Sequence, residues 1–208
     1  MEDLGSGVML PTSDWAEGRH EPMPREVLKD GADIVCFSGD KLMGGPQSGI
    51  ILGRSRHVQA LKKHPFFRAL RCDKMVLSVL QSTAEHYLDD QADELPLQGM
   101  LTADLASIQR RTRKLAKMLK GVPAKIDITP GHSQVGGGAL PEVLLPTVAL
   151  NIVPNDIRLV DFAARLRRAK PPVIGSIGSR RFCLDLRTIL PEQEKLLMNS
   201  IRQSLVSK

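Results

Sequence analysis

The chain has 208 residues, 42% apolar and 25% charged, which suits a globular protein of one or two domains and excludes disordered and collagen-like classes. No apolar run approaches the roughly 20 residues needed to span a bilayer as a helix. The net charge of +6 is compatible with a polyanionic partner such as a nucleic acid, without requiring one, and the 3% aromatic content makes the expected core aliphatic.

In chain order, residues 33–37 and 48–53 form two β-like runs around a turn-rich loop, Ser38 to Gln47. A helix is predicted over 54–64, where Pro65 would end it, and another over 73–88 with Asp73 as its cap. Leu101, Leu105, Ile108, Thr112, Leu115 and Leu119 recur at steps of four and three, which predicts one helix over 101–120 stopped at Gly121. Its opposite face carries Arg110, Arg111, Arg113, Lys114 and Lys117, either a solvated face or a phosphate-binding stripe. Strands over 124–129, 143–152, 173–178 and 181–186, with helices near 156–169 and 191–205, complete an order expected to pack helices on a small antiparallel sheet. The expected division is therefore 1–95 and 96–208, the second a compact α+β domain.

Cys36, Cys72 and Cys183 are odd in number and far apart, so they suit packing roles in a reducing cytoplasm rather than a disulfide framework or a zinc site. Gly136-Gly137-Gly138 lacks the following lysine and Ser/Thr of a P-loop and is expected to be a turn, with His132 in a loop beside it. Lys41 is the chemically interesting residue. It is either a surface lysine in a hairpin loop or a Schiff-base lysine whose glycine neighbours let a planar cofactor approach. A pyridoxal site also needs an acid for the ring nitrogen, and Asp3, among glycines near the chain start, is the candidate.

The run from Gly31 to Ile51, containing Ser38-Gly39-Asp40-Lys41, closely resembles the cofactor-lysine segment of the bacterial selenocysteine synthase (L-seryl-tRNA(Sec) selenium transferase) family. Glu2 to Gly7, His64 to Lys74, Ser133 to Gly138, Pro171 to Gly175 and Leu184 to Pro191 resemble the same family in the same order. The resemblance implies an α/β chain: the C-terminal part of the large domain of a fold-type I transferase dependent on pyridoxal 5'-phosphate, followed by a small α+β domain. It implies that Lys41 holds the cofactor, that Asp3 faces its pyridine nitrogen, and that Asp40 supports Lys41 in catalysis. It also implies that Arg68 and Arg71, placed by their i, i+3 spacing on one side of a helical turn, bind the oxyanion of the selenium donor.

The implied activity converts seryl-tRNA(Sec) to selenocysteinyl-tRNA(Sec) with selenophosphate, in the cytoplasm, by a homo-oligomer that forms a dimer-based ring. The family pattern further implies that the segments for tRNA binding, cofactor phosphate and ring stacking lie upstream of Met1. The chain is thus expected to be a C-terminal portion, inactive by itself, with an exposed apolar face where further strands would pack. Two other readings remain: a related pyridoxal lyase acting on an amino sugar acid, and a non-catalytic module that binds RNA or a partner chain through helix 101–120.

Overall fold

A computed structural model describes residues 1–13, 15–16, 18–136 and 138–206. Two compact units divide the chain, Met1–Thr102 with Gln134–Leu144, and Ala103–Ser133 with Leu145–Lys208.

The first unit contains β1 (Glu2–Gly5), α1 (Pro24–Lys29), β2 (Ile34–Ser38), β3 (Gly49–Gly53), α2 (Ser55–Lys63), α3 (Pro65–Leu70), α4 (Lys74–Leu88) and α5 (Pro96–Leu101). Its three strands form one sheet in the order β1-β2-β3. β1 runs parallel to β2 with Asp3 opposite Cys36, and β2 runs antiparallel to β3 from Ile34↔Gly53 to Ser38↔Gly49. Alternation along β2 turns Val35 and Phe37 into the core and leaves Cys36 on the other face. Pro65 does more than end α2: it occupies the first turn of α3, where its missing N–H costs nothing, and the His64 ring accepts from the Phe66 N–H at 3.3 Å. Asp73 caps α4, its Oδ1 accepting from the Val76 N–H at 2.9 Å.

Apolar cover in this unit is uneven. α2 and α3 bury no residue and α4 buries only Thr83. Phe66, Leu70, Met75, Leu77, Val79 and Leu88 stand exposed along α3 and α4.

The second unit contains α6 (Leu105–Met118), β4 (Ala124–Gln134), β5 (Leu144–Pro154), α7 (Leu159–Arg167), β6 (Ser176–Gly178), β7 (Arg181–Asp185) and α8 (Glu194–Leu205). The sheet order is β4-β5-β7-β6, with β5/β7 and β6/β7 antiparallel. Val148, Leu150, Ile152, Phe182 and Leu184 line one sheet face. They join Ile108 and Leu115 of α6, Phe162 and Leu166 of α7, and Leu197 and Ile201 of α8 in one continuous core. Phe162 and Phe182 meet edge to face with ring centroids 5.4 Å apart.

The single helix expected over 101–120 is two helices. Asp104 is extended and its Oδ2 accepts from the Ser107 N–H at 2.9 Å, so it starts a new helix rather than continuing the old one. Leu101 consequently ends α5 in the first unit, and Leu105 is only half-buried. Thr112 is fully buried because its hydroxyl donates to the Ile108 carbonyl at 2.8 Å. Arg111 leaves the solvent-facing stripe: its Nε donates to Glu194 Oε1 at 2.6 Å and its Nη2 to the Ile189 carbonyl. Arg110, Arg113, Lys114 and Lys117 remain exposed. His132 lies in strand β4, exposed, not in a loop, because that strand runs on to Gln134. Of the triple-glycine turn, Gly136 and Gly138 follow β4, while Gly137 lies outside the described residues.

The family-like run Leu184 to Pro191 has a structural job. Asp185 accepts from the Ser133 hydroxyl on β4, from Thr147 Oγ1 on β5 at 2.8 Å, and from the Arg187 N–H at 2.8 Å, so one carboxylate ties three segments. Arg187 is buried, with Nη2 donating to the Pro146 carbonyl at 2.7 Å. Burial pushes its guanidinium pKa down, and the nearby Asp185 charge pulls it partly back up.

Ile108 has no exposed surface. Ile108→Asp is expected to destabilise the second unit by about 4 kcal/mol or more, the scale of a lost core side chain plus an unpaired buried charge, read as the shift of a urea unfolding curve. An unchanged midpoint would remove Ile108 from the core.

Candidate active site around Lys41

The β2–β3 connection is short enough to be held at both ends. The Gly39 N–H donates to the Ser48 carbonyl at 2.9 Å, and the Gly45 N–H donates to the Gly39 carbonyl at 2.8 Å. Within the loop the Leu42 N–H donates to the Ser6 carbonyl at 2.8 Å, fastening it to the segment just past β1. Three consecutive carbonyls are then satisfied in turn. That of Lys41 accepts from the Gly44 N–H at 2.9 Å, that of Leu42 from Gln98 Nε2 at 2.7 Å, and that of Met43 from the Tyr87 hydroxyl at 2.8 Å. Gln98 Nε2 also donates to Tyr87 Oη at 2.8 Å, joining α4 to α5 behind the loop. Leu42 and Met43 are buried, so the lysine before them is held at its base while its side chain is half-exposed.

Two glycines shape what the amine faces. At Gly7 (φ +66°) a Cβ would stand 2.6 Å from both Phe37 Cδ2 and the Ser38 carbonyl oxygen, so only a bare backbone lets this segment pass β2. At Gly5 (φ +60°) a Cβ would lie 3.9 Å from Lys41 Nζ. The amine therefore stands close to the end of β1, on the side where Gly5 carries no side chain. Asp3 sits two residues earlier on the same strand, exposed, with Oδ1 accepting from the Gly5 N–H at 3.0 Å. Gly5 is thus the shared neighbour of Lys41 and Asp3. Burial, and then the Asp3 carboxylate opposite, push the Cys36 thiol pKa up, so Cys36 stays a neutral thiol beside that acid. Asp40 precedes Lys41 in the loop and is exposed.

Arg68 and Arg71 are both exposed and both line one groove of about 680 Å³ in the first unit, together with Ser48, Gly49 and Ile50 of the β3 region and Lys74 and Leu77 of α4. α3 stops at Leu70, with Arg68 in its last turn and Arg71 as the cap residue (φ −63°, ψ 141°) from which the chain leaves the helix. Lys41, Asp40 and Asp3 are not among the described residues lining this groove. Cys72 lines the same groove, and Cys183 lies in the second unit with its thiol donating to Asn151 Oδ1 at 3.1 Å. Tyr87 and Gln98 belong to none of the family-like runs. The available signals were a lone tyrosine in an aromatic-poor chain and a glutamine inside the apolar turn Pro96–Leu101.

Residues 1–190 match the family model described as L-seryl-tRNA selenium transferase. The chain belongs to that family. It is 41% identical over 208 residues to the L-seryl-tRNA(Sec) selenium transferase of Geobacter sulfurreducens, covering 98% of this chain and 45% of that protein. The Carboxydothermus hydrogenoformans transferase is 40% identical over 209 residues, covering 99% of this chain and 45% of the relative. The chain thus spans about half the length of these selenium transferases. Among solved structures, D-glucosaminate-6-phosphate ammonia-lyase superposes with a TM-score of 0.53 at 21% identity, over 85% of this chain and 44% of that one. This places the α/β fold with fold-type I enzymes. No helix among the described residues is long and apolar enough to cross a membrane.

Burial, slightly offset by the bond from Gln98, pushes the Tyr87 phenol pKa up to about 12. A raised pKa for an acid means that the fold favours the protonated form. The contribution is complete below the unfolded value of about 10 and is lost as pH rises from there through about 12. Tyr87 is the chain's one tyrosine, so its phenolate absorbance reports this directly. The folded protein is expected to titrate near 12 and the urea-unfolded protein near 10.

Proposed function

We propose that this chain supplies the lysine, the ring-nitrogen acid and the donor-binding arginines for the pyridoxal 5'-phosphate-dependent conversion of seryl-tRNA(Sec) to selenocysteinyl-tRNA(Sec) with selenophosphate. The observation that carries the reading is the Lys41 amine standing over Gly5, on the strand that bears Asp3, in a chain of this family. An amine and a carboxylate flanking a glycine suit a planar aldehyde-bearing ring. When bound, the cofactor supplies an electron-poor ring that accepts the electron pair left at a substrate Cα.

The roles follow from side-chain chemistry. Lys41 would hold the cofactor through its amine and would serve as the general base for the substrate Cα proton. Asp3 keeps a proton on the pyridine nitrogen by accepting its hydrogen bond. Asp40 supports Lys41 as the neighbouring carboxylate. Arg68 and Arg71 present two guanidinium forks to the phosphate-like end of selenophosphate. The net charge of +6 suits a tRNA substrate, whose phosphates dominate attraction. In this reading the working enzyme is cytoplasmic, a homo-oligomer built as a ring of dimers.

Incubation with pyridoxal 5'-phosphate followed by borohydride reduction and peptide mapping is expected to place the label on Lys41. A label on another lysine with Lys41 bare would refute the assignment. In the assembled enzyme, Lys41→Ala is expected to abolish both the visible absorbance of bound cofactor and selenium transfer. The Arg68→Ala, Arg71→Ala double variant is expected to keep that absorbance and raise KM for selenophosphate by about tenfold or more, the scale of lost charge-assisted hydrogen bonds.

A further inference from the structure

Behind the Lys41 loop lies a polar pair with no part in the chemistry just described. Gln98 is 5% exposed, in a short helix that otherwise offers apolar residues, and a buried amide is costly unless its hydrogens are used. Both partners of its Nε2 lead to the loop: the Leu42 carbonyl directly, and the Met43 carbonyl through the Tyr87 hydroxyl. The geometry of the pair is specific: contacts of 2.7 and 2.8 Å reach the consecutive carbonyls of Leu42 and Met43, and a third of 2.8 Å joins the two side chains. On the other side of the loop the Leu42 N–H is held by Ser6, which follows the strand carrying Asp3. Leu42 is therefore tied by its N–H to the segment after the Asp3 strand and by its carbonyl to α5, and the Met43 carbonyl is tied to α4.

We propose that Tyr87 and Gln98 are positioning residues for the reaction: they fix the peptide units after Lys41 and so hold its amine at the Gly5 end of β1. Neither touches the amine. They act through the backbone of Leu42 and Met43, whose burial prevents water from replacing the lost donors. A lysine has four side-chain torsions, so its amine is only as well placed as its Cα. Holding a reacting group in register with its target is worth large factors in rate, and a displacement of about 1 Å can cost about a hundredfold.

The proposal rests on the reading of Lys41 as the cofactor lysine, and the test separates the two. Tyr87→Phe removes one hydroxyl and keeps the ring; Gln98→Met keeps the volume and removes the donors. Each full-length variant is treated with pyridoxal 5'-phosphate and cyanoborohydride. Mass spectrometry then compares label on Lys41 with label on Lys63, an exposed lysine at the end of α2. A role in overall stability alone would alter both sites together. The ratio is expected to fall about tenfold in either variant. Hydrogen exchange at the Leu42 and Gly44 amides is expected to quicken, whatever Lys41 reacts with. An unchanged ratio in a folded variant whose parent favours Lys41, or unchanged exchange at those amides, would overturn the proposal. A parent that does not favour Lys41 would instead overturn the proposed function, with exchange still deciding the clamp. If Gln98→Met fails to fold, Tyr87→Phe decides alone.

Discussion

Hydrogen-bond saturation of the three peptide carbonyls at residues 41 to 43 is the constraint around which the first unit is arranged. A buried carbonyl left without a donor costs about 1–3 kcal/mol, so a loop that buries Leu42 and Met43 must find donors for its backbone or come apart. The solution draws on both ends of the unit. Ser6, past β1, takes the Leu42 N–H. The α4 and α5 side chains meet two of the carbonyls, and the loop's own Gly44 meets the third. The parallel β1–β2 pairing puts Asp3 opposite Cys36, and the close approach at Gly7 lets Ser6 reach the loop. Lys41 gains its surroundings from these backbone requirements, and its own side chain contributes little to them.

The two units solve burial differently. In the second, one sheet face and three helices close over a continuous aliphatic core, with Phe162 and Phe182 as its only described aromatic pair. Its polar features serve that closure: Asp185 fastens β4 and β5, and the Arg111–Glu194 pair joins α6 to α8. In the first, Val35 and Phe37 of β2 and Leu42 and Met43 of the loop are buried, while α3 and α4 present apolar side chains outward. A surface of that kind is unusual on a solitary soluble chain and usual where more protein covers it.

Local signals carried much of the fold into the sequence. The β-like runs around the glycine-rich loop, the Asp73 cap and the alternating order of the second unit are all short-range features, and the helices and strands follow them. The break at residues 102–104 was hidden because apolar spacing continued across it in phase, while the decisive event was Asp104 bonding to Ser107. Arg111 resembled its exposed neighbours because nothing local reveals Glu194, 83 positions away. At the candidate site, Lys41, Asp3 and the arginine pair were legible through motifs. The Tyr87–Gln98 contacts were not, because they depend on α4 and α5 meeting the loop across sequence separations of 44 and 56 residues.

The return of Gln134–Leu144 to the first unit has a consequence for how the protein is made. Ala139, Leu140 and Val143 are buried there, and Glu142 pairs with Arg19. A ribosome that has released residues 1–102 has therefore released an unfinished body, whose last apolar pieces arrive only after α6 and β4 have been synthesised. Domains commonly fold as contiguous pieces during synthesis, N-terminal first. Here the order is interleaved: the first unit waits for a segment embedded in the second, and no single proteolytic cut can release either unit whole.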